Sequence, residues 1–245
     1  MSATFDLSGV EVLTFDCYGT LIDWEAGLIS AMRRAIPAAA VDDEVLLAEY
    51  GAEEAALEAG PYLSYREISA RSMSAVARAH GIQPTKDAMA DFGGSVVDWP
   101  AFPDSRDALA ALAQRFELGV ITNCDDDLFA ASDEKLGQPF RWVITAQQAR
   151  SYKPSPRNFE LAFEQIGGSR QRIVHVAQSL YHDHVPAKRL GLRTIWVNRR
   201  HDRPGAGATP PAEAAPDLVV NDMATLARLA ADVRMSDVTG GERER

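Results

Sequence analysis

Asp16 stands at the end of an apolar run, VLTFD, and is followed by Cys17, Tyr18, Gly19 and Thr20. A carboxylate at the tip of a buried strand can be held in line with its target, as a nucleophile requires. Further polar groups close later apolar runs. Thr122 and Asn123 end LGVITN and precede Asp125, Asp126 and Asp127; Lys153 precedes Ser155; Gln178, Ser179 and Asp183 follow IVHVA. Any one of these alone reads as a helix cap or a solvated loop residue. A carboxylate, a hydroxyl–amide pair, a lysine and a second carboxylate in chain order point to one site instead, because ligands of open parallel sheets bind beyond the carboxyl ends of the strands. His175, His182 and His184 are weaker candidates for a metal, since His182 and His184 lie two apart and splay on a helix. Cys17 and Cys124 read as packed free thiols near Asp16.

The elements that must position these residues are legible as short apolar runs at 12–16, 118–123, 142–145, 173–177, 194–198 and 218–221. Helical patterns lie between most of them. Residues 104–116 form one, and residues 156–166 another, with Phe159, Ala162, Phe163 and Ile166 on one face. Ser155 and Pro156 make a good helix start, and a helix over 186–190 stops at Gly191. Strands alternating with helices predict an α/β fold with a doubly wound, mostly parallel sheet. The stretch between the first strand and Pro100 breaks that rhythm. It is rich in Ala, Glu and Leu, lacks a convincing strand, and is broken at Pro37, Gly60-Pro61 and Gly81. The expected organisation is a core of residues 1–22 and 99–233, a helical cap of residues 23–98 inserted after the first strand, and a disordered tail at 234–245. Residues 203–216, rich in Gly, Pro and Ala, read as a surface loop.

The chain has 245 residues, with 25 Lys and Arg against 35 Asp and Glu, a net charge of −10. That balance argues against binding nucleic acid or an anionic membrane. Two cysteines cannot build a disulfide framework and suit a reducing cytoplasm, the expected location. The start MSATFDLSGVEVL lacks the pattern of a signal peptide, and no run approaches a membrane span. The expected partner is a small-molecule carboxylic acid; self-association as a homodimer is left open.

Four segments carry a resemblance to the haloacid dehalogenase superfamily of hydrolases: FDCYGTL, VITN, YKPSPRNF and AQSLYHDHVPAKRLGL. The superfamily divides mainly into metal-dependent phosphatases and metal-free dehalogenases. The phosphatases resemble DxDxT at the first segment, where the second acid protonates the leaving oxygen; here Tyr18 replaces it. A phenol with a pKa near ~10 is a poor acid at neutral pH. The phosphatases also resemble GDSxxxD at the fourth segment, where Gln178 now stands in place of a magnesium-holding acid. The DCYGT form resembles the type II 2-haloacid dehalogenase branch, which implies no metal and no other cofactor.

That resemblance implies roles for the residues. Asp16, Lys153 and Asp183 are the expected catalytic group. Asp16 would attack the halogen-bearing carbon and form an ester that water then hydrolyses. Lys153 would keep Asp16 ionised, with a pKa well below neutral. Asp183 would hold Lys153 or the attacking water. Tyr18, Thr20, Thr122, Asn123, Phe159, Gln178 and Ser179 are expected to contact the substrate. Phe159 stands where the dehalogenases resemble a tyrosine, and simple core packing on its helix face is the preferred reading. Alternative functions are a magnesium-dependent phosphatase, a hydrolase that opens a strained cyclic amino acid, and a non-catalytic binding protein.

The cap departs furthest from the branch. The dehalogenases use a cap arginine for the halide, but no Lys or Arg occurs between Arg34 and Arg66. Arg33, Arg34, Arg66 and Arg71 are the candidates to neutralise an anionic substrate. The gap holds Asp42, Asp43, Glu44, Glu49, Glu53, Glu54 and Glu58, expected to form a solvated helix face. Should they face the cleft instead, a zwitterionic substrate fits better.

Overall fold

The computed structural model describes residues 5–37, 40–203 and 208–240, with side chains as far as 231. Strand β1 (Val12–Phe15) carries four consecutive buried side chains, the pattern of a strand covered on both faces. The helices α1 (Trp24–Ala35), α2 (Asp43–Glu58), α3 (Tyr65–Ala79) and α4 (Lys86–Gly94) follow, closed by a 3-10 turn at Ser95–Asp98. Asp23, Ser64 and Thr85 each cap the next helix with a side-chain oxygen, which is why this stretch breaks into separate helices there.

The alternating part begins with α5 (Ser105–Leu112) and β2 (Glu117–Thr122). It continues through α6 (Asp126–Leu136), β3 (Trp142–Thr145), the short α7 (Ala146–Ala149), α8 (Arg157–Ile166) and β4 (Ile173–Ala177). A π-helical turn at Leu180–His184 leads into α9 (Val185–Arg189), then β5 (Arg193–Val197), β6 (Leu218–Val220) and α10 (Met223–Gly240). All six strands pair in parallel in the order β3-β2-β1-β4-β5-β6.

The expected parallel α/β sheet is therefore present, and each apolar run is a strand to within one residue at either end. Helix α6 was not foreseen: Asp125, Asp126 and Asp127 read only as a run of acids after the second strand, and Asp126 and Asp127 occupy the helix's first turn, where acids suit the helix dipole. The tail expected to be disordered from residue 234 has helical backbone as far as Gly240, since each added helical residue extends a ladder already nucleated. Its residues 241–245 lie outside the described ones. No helix among the described residues is long and apolar enough to cross a membrane.

Strand order fixes where a site can form. From β1 the chain moves outward to β2 and β3, then returns to lay β4 on the other side of β1. A crevice opens where the order reverses, beyond the ends of β1 and β4. Asp16 follows β1, and Asp183 lies in the turn after β4.

Candidate active site

The turn after β1 is built to present Asp16. Thr20, Leu21 and Ile22 donate their backbone N–H groups to the Cys17 carbonyl, folding the chain into a tight loop. Gly19 has φ +92°, and a Cβ there would meet the Trp24 indole at 3.2 Å, so glycine answers both demands. Thr20 donates to Asp16 Oδ2 at 2.7 Å and accepts from the Gln178 N–H at 2.8 Å, tying the loop to the end of β4. Arg199, after β5, donates to the Thr20 carbonyl at 3.1 and 2.9 Å.

Lys153 reaches the same point from the loop before α8. Asn123 fixes that loop from both sides: its Oδ1 accepts from the Lys153 N–H at 2.7 Å, and its Nδ2 donates to the Lys153 carbonyl at 3.0 Å. The Lys153 ammonium donates to Asp16 Oδ1 at 2.8 Å, Asp183 Oδ1 at 2.6 Å and the Ile121 carbonyl at 2.8 Å. His175, on β4, bridges from behind, with Nε2 3.0 Å from Asp183 Oδ1 and Nδ1 2.9 Å from Thr14 Oγ1. Asp16, Lys153 and Asp183, the expected catalytic group, are thus in one hydrogen-bonded cluster.

One cation serves two buried acids, and this decides their protonation. Burial would raise Asp183, but the Lys153 charge and the His175 bond hold it well below the usual carboxylate range. Burial would lower Lys153, and the two carboxylates raise it further than burial lowers it. Asp16 moves upward from the ordinary aspartate value: burial and the Asp183 charge outweigh Lys153 and Thr20.

The other expected contacts divide. Tyr18, Asn123 and Ser179 line the cleft beside Asp16. The Tyr18 hydroxyl is 3.1 Å from Ser132 Oγ and accepts from Cys124 Sγ at 3.4 Å, and burial pushes its pKa up. Ser179 Oγ accepts from the His182 N–H at 2.9 Å and caps the π turn. Thr20 acts on Asp16 from within the loop and is fully buried. Four of the expected substrate contacts, Thr20 among them, lie outside the cleft lining. Thr122 is fully buried away from the cleft lining. Phe159 packs edge-on against His175, ring centroids 5.0 Å apart, because the apolar face of α8 covers the sheet. Gln178 lines a neighbouring recess with Gly19 and Arg199, while its carbonyl accepts from Trp196 Nε1 at 2.9 Å.

The cap reading also changes. Arg33 pairs with Asp43, Arg34 donates to Ser30, Arg66 pairs with Asp127, and Arg71 pairs with Glu67. None of the four lines the cleft. Glu54 and Glu58 line it instead, so two of the acids expected on a solvated face are buried. The reason lies in docking. Asp125 accepts from the backbone N–H groups of Tyr65 and Arg66 at 2.9 and 3.0 Å, anchoring the start of α3 on the core. The Tyr65 hydroxyl then donates to Glu54 Oε1 at 2.8 Å. Gly51 lets the Ala208 carbonyl lie against α2, where any Cβ would come within 1.9 Å of it. Spacing foretold that Glu54 and Glu58 share a helix face, but not which way that face turns.

Burial pushes Glu54 up to about 7 and Glu58 well above the usual range. It pushes His182, also lining the cleft, down to about 4. Both cysteines are buried, and burial raises their pKa, so neither is a thiolate at neutral pH. A magnesium ion favours carboxylate oxygens. Here one oxygen each of Asp16 and Asp183 faces Lys153, and Gln178 offers only an amide outside the cleft lining. No group of three His, Cys, Asp or Glu side chains among the described residues could hold a metal. The acid that a magnesium phosphatase would carry at position 178 is thus absent from this cleft.

The family model of haloacid dehalogenase-like hydrolases matches residues 10–190. The chain belongs to the haloacid dehalogenase-like hydrolases. Haloacetate dehalogenase H-2 of Moraxella sp. (strain B) is 28% identical over 195 residues, covering 78% of this chain and 86% of that protein. The (S)-2-haloacid dehalogenase H-109 of Pseudomonas putida is 24% identical over 214 residues, covering 83% of this chain and 93% of that one. Among solved structures, L-2-haloacid dehalogenase from Xanthobacter autotrophicus superposes with a TM-score of 0.76 at 22% identity, covering 91% of this chain and 98% of the other. That last likeness is one of fold.

Proposed function

We propose that this hydrolase displaces a leaving group from a small 2-substituted carboxylic acid by attack of Asp16, without a metal, and that carbon–halogen bonds are its first candidates. The observation that carries this reading is the pairing of a fixed carboxylate with a missing acid. Asp16 is held at Oδ1 by Lys153 and at Oδ2 by Thr20, on a rigid strand end in the cleft. The residue two positions on is Tyr18, whose proton is harder to lose than that of a free phenol. A leaving group that needs no proton therefore suits this site, and halide is one. The dehalogenase names of the two relatives support the same choice.

In the first step an Asp16 oxygen forms a bond to the substrate carbon while the carbon–halogen bond breaks, and halide departs with the electron pair. Water then attacks the Asp16 carbonyl carbon and the ester C–O bond breaks; one water proton goes to the leaving oxygen and the other to solvent, and the 2-hydroxy acid leaves carrying the former Asp16 oxygen. Asp183 and Lys153 hold the carboxylate in place throughout. Closure of the helices between β1 and α5 over the cleft would exclude bulk water. A single turnover in H₂¹⁸O with excess enzyme tests this, using chloroacetate and 2-chloropropanoate with and without EDTA. The expected result is unlabelled product, label in Asp16 and no effect of EDTA. Labelled product in that first turnover would make Asp16 a base or a positioning group.

A further inference from the structure

Glu54 and Glu58 have no task in the reaction just described. They sit one helical turn apart on α2 and line the cleft with Asp16 and Lys153. Glu54 is 6% exposed and the Glu58 side chain 7%. Neither forms an ion pair with a Lys or Arg among the described residues, although the nearby Lys153 charge opposes the rise of Glu58. Glu54 accepts from a phenol, and Glu58 meets the Asn123 amide at 3.4 and 3.3 Å. His182 Nε2 is 3.8 Å from Glu58, and burial keeps that imidazole neutral at pH 7. Lys153 has three hydrogens and gives them to Asp16, Asp183 and the Ile121 carbonyl, so it has none for a substrate.

Two independent features of the cleft point to what would enter. Asp183, fully buried, lines the cleft and leaves Oδ2 without a partner among the described residues. Trp24, Tyr18 and Tyr65 form aromatic walls of the same cleft. Carboxylates combined with aromatic faces recognise ammonium groups. Charge gives the same sign. Ionised Asp16 and Asp183 with Lys153 leave an excess negative charge, and an anion would add to it beside two further acids. Burying charge without a counter-ion costs several kcal/mol per ion.

We propose that Glu54 and Glu58 receive a protonated amine, and that the 2-substituted acid of the proposed function is a compact zwitterion, with an ammonium group close to the carbon that bears the leaving group. This deepens the proposed function and rests on Asp16 as nucleophile for its chemistry, but not for its binding. Binding of the cation also offsets the burial that raises both glutamates, so they ionise as it enters.

Calorimetric titration of the full chain with propylammonium and with propanoate separates the two charges without turnover. The expected result is propylammonium bound at least about tenfold more tightly, with that preference lost in Glu58→Gln and in the isosteric Glu54→Gln. Propanoate binding as tightly, no saturable binding of propylammonium, or a preference that survives both substitutions would overturn the proposal. Chloride release from chloroacetate, chloroacetamide and 2-chloroethylammonium is measured in parallel. No chloride from any of them, with propylammonium still bound, overturns the Asp16 chemistry and leaves the ammonium site standing.

Discussion

Lys153 is closer to Asp183 than to Asp16, 2.6 against 2.8 Å, and its charge lowers the first while the second still rises. One ammonium cannot neutralise two buried carboxylates, and the acid with an added bond from His175 is the one that keeps its charge most firmly. Lys153 is therefore both a positioning group and a structural one. Lys153→Met would leave two acids buried together with no cation, which costs about 3–5 kcal/mol. The expected outcome is a lower urea midpoint together with loss of turnover. Unchanged stability in Lys153→Met would mean that the acids are already protonated in the native protein.

Asp16 sets the acid limb of activity. Its folded pKa is raised, and attack requires the ionised form, so kcat/KM should fall as pH drops through a value above the ~3.9 of an ordinary aspartate. A pH–rate profile for chloride release locates it. An acid limb at or below that ordinary value would show that Lys153 dominates after all. Asp16→Asn should abolish turnover at every pH.

Asp183 acts on stability in the opposite sense. Its folded pKa is depressed, so its contribution is present above the unfolded value of ~3.9 and is lost as pH falls through the folded value. The wild-type urea midpoint should drop on acidification below about pH 4. Asp183→Asn, though less stable at neutral pH, should lose much less over that interval.

How much of this was legible in the chain depended on whether a residue's role is local. The apolar runs and their helices gave the parallel sheet, because burial on both faces leaves a continuous signature in the strand itself. Asp16, Lys153 and Asp183 were legible because strand ends converge in any fold of this kind. The residues misjudged depend on orientation. Phe159 was legible as a helix-face residue, and packing against His175 is that face's role. The Glu54 and Glu58 face turns inward because of Asp125, Tyr65 and Gly51, residues far apart in the sequence. His175 carried no role in the sequence reading, which set a histidine metal site aside; its place behind Asp183 comes from the register of β4 against β1, which sets it opposite Thr14.

Arg200, after β5, ties the end of the sheet to α1 and α2. It is 7% exposed, pairs with Glu25 on α1, and donates to Glu44 on α2 at 3.1 Å. Burial raises the Glu25 pKa, and Arg200 is the main group opposing that rise. Arg200→Met should cost roughly 1–3 kcal/mol, because it takes the nearer cation from a largely buried carboxyl and leaves only Arg203 at 3.8 Å. It should also loosen the seating of α2, and so raise KM more than it lowers kcat if Glu54 and Glu58 serve binding.

Glu54 gives the clearest pH signature, because its folded pKa lies inside an accessible range. It rises to about 7 through burial, against the bond from Tyr65. A carboxyl raised in the folded state stabilises most below its unfolded value of ~4.3, and that contribution is lost as pH rises through about 7. Stability should therefore decline between pH 5 and 7 by an amount on the order of 2–3 kcal/mol at most, then level off. Glu54→Gln carries no proton to lose and should flatten that decline, as urea midpoints at several pH values would show. Propylammonium should flatten it too in the wild type, because a cation beside Glu54 lowers the carboxyl's pKa. A decline that persists in Glu54→Gln assigns it to Glu58 or Asp16. A decline unchanged by propylammonium places the amine away from Glu54.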